Sequence, residues 1–304
     1  MNGSHAIGVD LGGTKILAGV VTRSGEILRR HERPTPLESQ EAVLAELEAA
    51  VFELLDDEVA AIAFGVPSPI DQPSGVVVEC VNVPLVDVPL RDLMHRRFGL
   101  PVGLDNDANA AAIGEWRAGA GRGVDNLVML TMGTGLGGGV ISGGHPFRGS
   151  RGGGVELGHV VIVHDGRPCQ GVCRGRGHLE PYVTGLAATA AAQEVFGPAA
   201  DAHRLVRLAD EGDETARAIL AEIGGYLGSG MGSFANIFEP DRIVIGGGFG
   251  VAAWDYVIPR AEEVMRREAL RPMRDHVQLA RAELGTAAGS IGAAFVAFEA
   301  LDAA

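Results

Sequence analysis

The chain has 304 residues, 46% of them hydrophobic, which suits one large or two closely joined α/β domains and excludes a disordered chain. Its 25 lysines and arginines against 39 aspartates and glutamates give a net charge of −14, so we expect no nucleic-acid partner. No signal-peptide pattern and no apolar stretch of bilayer length is present, and three cysteines are too few for a disulfide framework. We therefore expect a cytoplasmic protein that does not enter a membrane.

The first part of the chain predicts an α/β unit that opens with a β-meander. Short apolar runs at residues 6–10 and 16–22 flank a glycine turn, and a Ser-Gly turn leads to a third run at 26–30. Val43, Leu47, Val51 and Leu54 form a helical stripe within residues 40–55. A buried strand at 59–66, a further strand at 101–105 and a helix at 108–118 follow.

The second part repeats the opening pattern. A strand at residues 127–132, a Gly-Thr turn and a strand at 137–141 have the same order as residues 6–22. The repeat indicates two related α/β halves around a cleft. An irregular segment at 149–180 precedes helices at 182–196 and 214–238, a strand at 242–245 and a last helix at 286–301. The arginines in and beside the irregular segment are interpreted as a solvated basic surface: Arg148, Arg151, Arg167, Arg174 and Arg176.

Three glycine-rich turns are candidates for binding a nucleotide. Glycines let the backbone approach phosphate oxygens closely, and threonine hydroxyls and backbone amides can donate hydrogen bonds to them. Each turn alone is equally typical of a hairpin and none has the Walker pattern, but three in this order favour a nucleotide. Asp10 is placed to hold Mg²⁺ through water. The candidates are Asp10, Gly12, Gly13, Thr14 and Lys15, then Thr131, Gly133, Thr134 and Gly135, then Gly246, Gly247 and Gly248.

A run of four Asp and Asn residues within positions 105–109 joins a predicted strand to a predicted helix. Such residues are preferred at helix N-caps, so one of them can be explained as a cap. Capping does not require four, however, and a carboxylate at the carboxyl end of a strand can accept a proton from a substrate hydroxyl. We predict that Asp107 is the general base and that Asp105 is either the cap or a packing partner.

Two cysteines and two histidines lie close together in the irregular segment. Cys169 follows His159 by ten residues, and Cys173 and His178 come next. Thiolates and imidazoles in one short loop suit a tetrahedral structural zinc. The spacing departs from the usual Cys-x₂-Cys, so reduced surface cysteines beside unrelated histidines are the alternative. Nearby glutamates, Glu156 and Glu180, are either solvated charges or acceptors for sugar hydroxyls.

Together these residues resemble the ROK family of bacterial sugar kinases and regulators, within the actin-like sugar-kinase ATPase superfamily. The matching segments are 10–15, 105–115, 131–139, 156–159, 169–180 and 245–248, in the family's order. The resemblance implies an α/β protein with two actin-like, ribonuclease H-like domains that flank a nucleotide and sugar cleft. Residues 1–118 would form one domain and residues 119–285 the other, with a zinc loop at 156–180. The helix at 286–301 would pack back onto the first domain.

The resemblance also implies ATP-dependent phosphorylation of a hexose at its 6-hydroxyl, glucose being the commonest substrate in the family. By position, Asp107 would be the base, and the sugar would contact Asn82, Asn106, Asp107, Glu156, His159 and Glu180. The cofactors would be ATP, Mg²⁺ and a structural Zn²⁺ held by His159, Cys169, Cys173 and His178. One imidazole nitrogen of His159 would remain for the sugar, which would couple zinc to sugar affinity. A homodimer or homotetramer is expected.

The chain departs from the family pattern at several positions, which leaves the substrate open. His178 replaces the last cysteine of the family's cluster, and Ser68 and Val155 stand where glycines are usual near the expected sugar pocket. Fructose, mannose and N-acetylated hexosamines remain alternatives to glucose, and polyphosphate remains an alternative to ATP. A non-catalytic sugar-binding regulator is a weaker alternative, because the family's repressors carry an added DNA-binding domain. An actin-like filament protein would have no use for the sugar and metal cluster.

Overall fold

A computed structural model describes residues 4–171 and 173–304 of the chain. The first part contains two kinds of layer, a five-stranded sheet and a small three-stranded sheet, with helices packed beside them. Its elements are β1 (His5–Leu11), β2 (Lys15–Thr22), β3 (Ile27–Pro34), α1 (Gln40–Leu54), β4 (Val59–Val66), β5 (Ile70–Asp71), β6 (Val76–Glu79), β7 (Val86–Val88), α2 (Leu90–Phe98), β8 (Val102–Asn106) and α3 (Asp107–Ala118).

The first sheet has the strand order β3-β2-β1-β4-β8. The predicted meander is confirmed, since β1 pairs with β2 and β2 with β3 in antiparallel register. Strands β1, β4 and β8 run parallel, and Asp10 pairs with Gly65 while Asn106 pairs with Val66. The carboxyl ends of these strands therefore lie along one edge of the sheet, which brings Asp10 and the start of α3 to the same side.

The second part builds a sheet of the same design. Its elements are β9 (Leu127–Met132), β10 (Leu136–Ser142), β11 (His145–Pro146), α4 (Glu180–Val183), α5 (Gly185–Phe196), α6 (Ala202–Asp210), α7 (Glu214–Phe238), β12 (Arg242–Gly246), α8 (Gly248–Ala252), α9 (Trp254–Glu268), α10 (Met273–His276), β13 (Gln278–Arg281) and α11 (Ala288–Asp302), with 3₁₀ turns at Leu157–His159 and Gly285–Ala287. The strand order β11-β10-β9-β12-β13 matches that of the first sheet, so the predicted internal repeat is confirmed.

Helices α3 and α11 pack closely against each other, in the layer that joins the two sheets. Their apolar side chains form a cluster with residues from both sheets, including Ala61, Leu127 and Val244. The approach of the helices is so close that a Cβ at Gly292 would lie 1.6 Å from the carbonyl oxygen of Ala110. Helix α11 also contacts β1, β4 and β8 of the first sheet.

One predicted helix is wrong and several elements were not predicted. Residues 182–196 do not form a single helix, because Thr184 adopts an extended backbone between α4 and α5 and its hydroxyl accepts a hydrogen bond from Ala187 N at 3.3 Å. Helix α9 escapes prediction because Pro259 lies inside it and suggests a helix end. Within the described residues, no helix has the length and apolar character needed to span a membrane.

Candidate active site

Residues 105–109, here called the catalytic turn after the role predicted for Asp107, connect the end of β8 to the start of α3. Asn106 is the N-cap of α3, because its Oδ1 accepts hydrogen bonds from Ala108 N at 2.9 Å and Asn109 N at 3.2 Å. Asp107 is the first residue of the helix, and its Oδ1 accepts a hydrogen bond from Ala108 N at 2.8 Å. Of the two roles considered for Asp105, packing partner is the one found, since its side chain is only 1% exposed.

Asp10 of β1 and Asp107 of α3 are both half-buried and interact electrostatically, so we call them the acidic pair. Burial and the negative charge of Asp107 raise the pKa of Asp10 to about 7, against the opposing charge of Lys15. Burial also raises the pKa of Asp107, as does the negative charge of Glu156, while its hydrogen bond from Ala108 acts in the opposite direction. Two carboxylates that repel each other in a partly dry site favour a cation between or beside them.

A cavity of about 570 Å³ brings the predicted sugar-binding residues together. It is lined from the first half by Asn82, Asn106 and Asp107, and from the second half by Glu156, His159 and Glu180. A hexose has hydroxyl groups on every side, so a cavity with carboxylate, amide and imidazole groups from several elements suits it chemically. We call this space the sugar cavity.

A second cavity of about 470 Å³ is also lined by Asp107, and we call it the nucleotide cavity after the ligand that the sequence predicts. Asp10, Thr131 and residues 246–248 line it, and Asp107, Thr131 and Gly247 line both cavities. Gly247 has a φ of +81°, and a Cβ there would lie 2.4 Å from the carbonyl oxygen of Met132. Only glycine permits this contact between the third glycine turn and the end of β9.

The remaining predicted phosphate-binding residues lie in two hairpin turns. Gly133, Thr134 and Gly135 line the sugar cavity at the turn between β9 and β10. Residues 12–15 form the turn between β1 and β2 and are not among the residues that line either cavity. That turn is fixed by a hydrogen bond from Thr35 Oγ1 to the Gly12 carbonyl oxygen at 2.7 Å, and Lys15 forms an ion pair with Glu32 at 3.3 Å.

Glu156 and Glu180 face the sugar cavity from different elements. Glu156 precedes the 3₁₀ turn at Leu157–His159, and burial raises its pKa. Its Oε2 lies 3.9 Å from Nε2 of His159. Glu180 begins α4, and its Oε2 accepts a hydrogen bond from Leu136 N at 2.9 Å, which ties the helix to β10. Each carboxylate therefore keeps free acceptor capacity toward the cavity.

Residues 156–180, here called the zinc loop, bring the four predicted metal ligands together. Their ligand atoms, from His159, Cys169, Cys173 and His178, all lie within 4.8 Å of one another. The two Nδ1 atoms are 3.2 Å apart, Cys169 Sγ lies 3.5 Å from His159 Nδ1, and Cys173 Sγ lies 3.7 Å from His178 Nδ1. Tetrahedral zinc with bonds of about 2.0–2.3 Å places its ligands about 3.3–3.8 Å apart, so the donor set fits this ion.

The zinc loop also orients His159 toward the sugar cavity. Its Nδ1 faces the other three ligand atoms, while its Nε2 is the ring atom near Glu156. A zinc-bound imidazole commonly uses its second nitrogen to hydrogen-bond a neighbour. The geometry therefore allows His159 to contact a metal ion and a sugar hydroxyl at the same time.

The interpretation of the arginines as a solvated surface is wrong for Arg148 but agrees with Arg151, whose side chain is 72% exposed. Arg148 forms ion pairs with the buried Asp105 and with Glu299, and Arg151 pairs with Asp71. Arg167 is also engaged, since its guanidinium stacks 4.7 Å from the ring centre of Tyr182. Pairing between segments so distant in the chain leaves no local pattern in the sequence.

Several residues near the site were not predicted. Gln170 and Leu186 line the sugar cavity. A third cavity of about 360 Å³ adjoins Thr134 and Gly248 and is lined by Thr189 and His203 of α5 and α6. The only sequence signal for this region is the N-cap pattern at the start of α6, which identifies a helix but not a ligand site.

Comparison with known proteins identifies the relatives of this chain. The ROK family model matches residues 6–300. The chain is 34% identical to the glucokinase of Streptomyces coelicolor, over 96% of this chain and 97% of that enzyme. It is 37% identical to the glucokinase of Thermotoga maritima, over 85% of this chain and 86% of that enzyme.

The structural comparison agrees with the sequence comparison. A ROK family glucokinase from Streptomyces griseus, solved in complex with glucose and AMPPNP, superposes with a TM-score of 0.82 at 35% identity, over 97% of this chain and 99% of that one. The predicted α/β class and actin-like fold are therefore confirmed. Since the family model covers nearly the whole chain and the fold is shared, this protein belongs to the ROK family.

Proposed function

We propose that this protein is an ATP-dependent hexose kinase that phosphorylates the 6-hydroxyl of glucose. The observation that carries the proposal is the position of Asp107, which lines both the sugar cavity and the nucleotide cavity. A base at that junction can reach a hydroxyl on one side while the γ-phosphate approaches from the other. Glucose is chosen because the relatives at 34% and 37% identity are glucokinases and the Streptomyces griseus enzyme was solved with glucose.

The proposed chemistry is in-line attack by the sugar hydroxyl on the γ-phosphorus of ATP. Asp107 accepts the hydroxyl proton as the new P–O bond forms and the bond to ADP breaks. Such general-base assistance contributes about 10²–10⁴ in rate, and alignment of the reactants contributes further. Asn82, Asn106, Glu156, His159 and Glu180 would hold the sugar so that only one hydroxyl reaches Asp107. Closing the cleft would exclude water as a competing acceptor.

We assign the phosphate groups to the three glycine turns, of which Thr131 and residues 246–248 line the nucleotide cavity and residues 133–135 line the sugar cavity. Thr131 and residues 133–135 from one turn and residues 246–248 from another would donate backbone and hydroxyl hydrogen bonds, with residues 12–15 contributing as the cleft closes. Asp10 would hold the hydrated Mg²⁺, which neutralises phosphate charge when bound. The acidic pair of Asp10 and Asp107, whose pKa values are raised by burial, supports a cation here.

We propose a structural role for zinc in the zinc loop. His159, Cys169, Cys173 and His178 would occupy all four positions of the ion, leaving none open for chemistry. The distances between their ligand atoms support this set, even though His178 stands where the family usually has a cysteine. Zinc would fix the ring of His159, and through it the affinity for the sugar.

The domain division and the assembly state are also part of the proposal. Two five-stranded sheets of the same strand order support one domain at residues 1–118, completed by the helix at 286–301, and another at residues 119–285. A homodimer or homotetramer is expected from the family resemblance. Light scattering coupled to size-exclusion chromatography measures the mass of the particle and distinguishes these states from a monomer.

The decisive experiment measures ADP release from ATP and Mg²⁺ with glucose, fructose, mannose, N-acetylglucosamine and N-acetylmannosamine. Turnover with glucose well above the rate without sugar is the expected result. Higher turnover with another hexose would support the proposed kinase activity but replace glucose as its substrate. Activity with polyphosphate but not ATP would correct the donor. Sugar binding by calorimetry without turnover on any donor would overturn the kinase and leave a sugar sensor.

A further inference from the structure

Arg148 links the catalytic turn to two other parts of the molecule. It follows β11, and its side chain is 23% exposed. Its Nε donates to Asp105 Oδ2 at 2.6 Å, and its Nη2 donates to Glu299 Oε2 of α11 at 2.8 Å. Asp105 is only 1% exposed, so burying its negative charge costs free energy. The positive charge of Arg148 offsets part of this cost.

The same carboxylate of Asp105 organises the catalytic turn. Its Oδ1 accepts hydrogen bonds from Asn106 N at 2.9 Å and from Asn109 Nδ2 at 3.1 Å. These two partners lie on either side of Asp107. Arg148 binds the other oxygen and so fixes the plane of the carboxylate group. The orientation of the turn that presents Asp107 therefore depends on a side chain from the second half of the chain.

Arg148 also begins the segment that leads to Glu156. Its carbonyl oxygen accepts a hydrogen bond from Gly154 N at 3.0 Å, which closes the loop before Val155 and Glu156. The loop is attached to the first half again where Gln72 N donates to the carbonyl oxygen of Arg151 at 2.9 Å. The side chain of Arg148 thus contacts the catalytic turn, while its backbone carbonyl closes the loop at residues 148–154.

We propose that Arg148 is a positioning residue for the phosphoryl transfer, acting through Asp105 on Asp107. The proposal rests on the kinase function proposed above. A displacement of about 1 Å in a reacting group can cost about 10²-fold in rate, so loss of this contact is expected to act on turnover more than on sugar affinity. A purely structural ion pair would instead change stability and leave the turnover of the folded protein unaltered.

The test compares Arg148→Met and Arg148→Lys with Glu299→Gln as a matched control. The control removes the charge of the other partner of Arg148 but keeps the contact with Asp105. We expect kcat to fall about 10–100-fold in the Met variant and less in the Lys variant, which keeps one donor. In both Arg148 variants the sugar Kd from calorimetry should stay within about threefold of the wild-type value. In Glu299→Gln both kcat and Kd should stay within about twofold of the wild-type values. A near-normal kcat in Arg148→Met, or a weakened Kd with normal kcat, would overturn the proposal.

Hydrogen exchange provides a readout that does not depend on activity. In Arg148→Met, amides of a peptide spanning residues 104–112 should exchange faster, while a peptide covering β12 should not change. Unaltered exchange at the catalytic turn would refute the positioning role even if the wild type shows no turnover with any sugar, an outcome that would separately refute the kinase. If Arg148→Met does not fold, the double variant Arg148→Met/Asp105→Asn removes both charges, and the same two measurements apply to it.

Discussion

The catalytic turn and the zinc loop contribute to the same cavity but are built in different ways. The catalytic turn lies between a strand and a helix, and its side chains accept hydrogen bonds from backbone amides, Asp105 from Asn106 N and both Asn106 and Asp107 from Ala108 N. Among its described residues, the zinc loop has one 3₁₀ turn and two isolated bridges, Val161 with His178 and Pro168 with Arg176. Four potential metal ligands converge within it.

The two regions therefore depend on different interactions to keep their geometry. The catalytic turn is held by the fold itself, so its geometry is expected to persist without any ligand. The zinc loop has little regular structure, and a bound metal supplies the missing cross-links in loops of this kind. Changes in the catalytic turn should therefore affect turnover, whereas changes in the zinc loop should affect metal content and sugar affinity together.

The largest effect is expected at Asp107. Asp107→Asn keeps the size of the side chain and an oxygen that can accept from Ala108 N, but it removes the ability to take a proton. We expect kcat to fall about 10²–10⁴-fold, while sugar binding by calorimetry and zinc content are retained. A variant that turns over within tenfold of the wild type would remove Asp107 from the role of base.

The second-largest effect is expected for Cys173→Ser, a change in the zinc loop. Loss of one thiolate should release the proposed zinc and weaken sugar binding about 10–100-fold, because His159 loses its fixed orientation. The matched control is His164→Asn, a change in the same loop at a side chain that is 98% exposed. Metal analysis and calorimetry on the same samples check the prediction. Zinc-free protein that binds sugar like the wild type would show that the loop does not depend on the metal.

The fold was predictable where apolar patterning is local and uninterrupted. Strands at 59–66 and 127–132 and the helix at 214–238 have the bounds expected from their sequence. The spacing of apolar residues within each segment is enough to identify a buried strand or an amphipathic helix. Helix α9 was not predictable in this way because Pro259 interrupts the pattern. The break at Thr184 depends on a side-chain cap that only the folded chain forms.

The candidate site shows the same limit. Glycine turns, clustered Asp and Asn residues and the Cys/His spacing carry chemistry in a few neighbouring residues, so their members could be named from the sequence, and the structure gathers most of them at two cavities. Arg148 and Asp105 are 43 positions apart, and the contact between them leaves no periodic signal. Long-range pairs of this kind define how the catalytic turn is oriented, which is the part that sequence patterns do not contain.

The third effect concerns the acidic pair and pH. The pKa of Asp10 is raised to about 7 and that of Asp107 is raised as well, so the folded protein holds more protons than the unfolded chain between about pH 4 and pH 7. The free energy of unfolding of metal-free protein should therefore contain a contribution that decreases as pH rises through this window. Asp10→Asn should remove most of that contribution, which thermal melts of both proteins at several pH values will measure. If the free energy of unfolding depends on pH identically in the two proteins, Asp10 does not bind the extra proton in the folded state.

The smallest effect tests strain at the entrance to the zinc loop. Val155 is β-branched, lines the sugar cavity and has a φ of +70°, a conformation that favours glycine. Val155→Gly should be more stable than Val155→Ala by about 1 kcal/mol, the reverse of the usual order for these residues. Chemical denaturation of the two variants measures the difference, and their comparison cancels most of the packing lost with the valine. If the Ala variant proves the more stable, the backbone at this position is not strained, and Val155 stands there at no cost to the loop that carries Glu156.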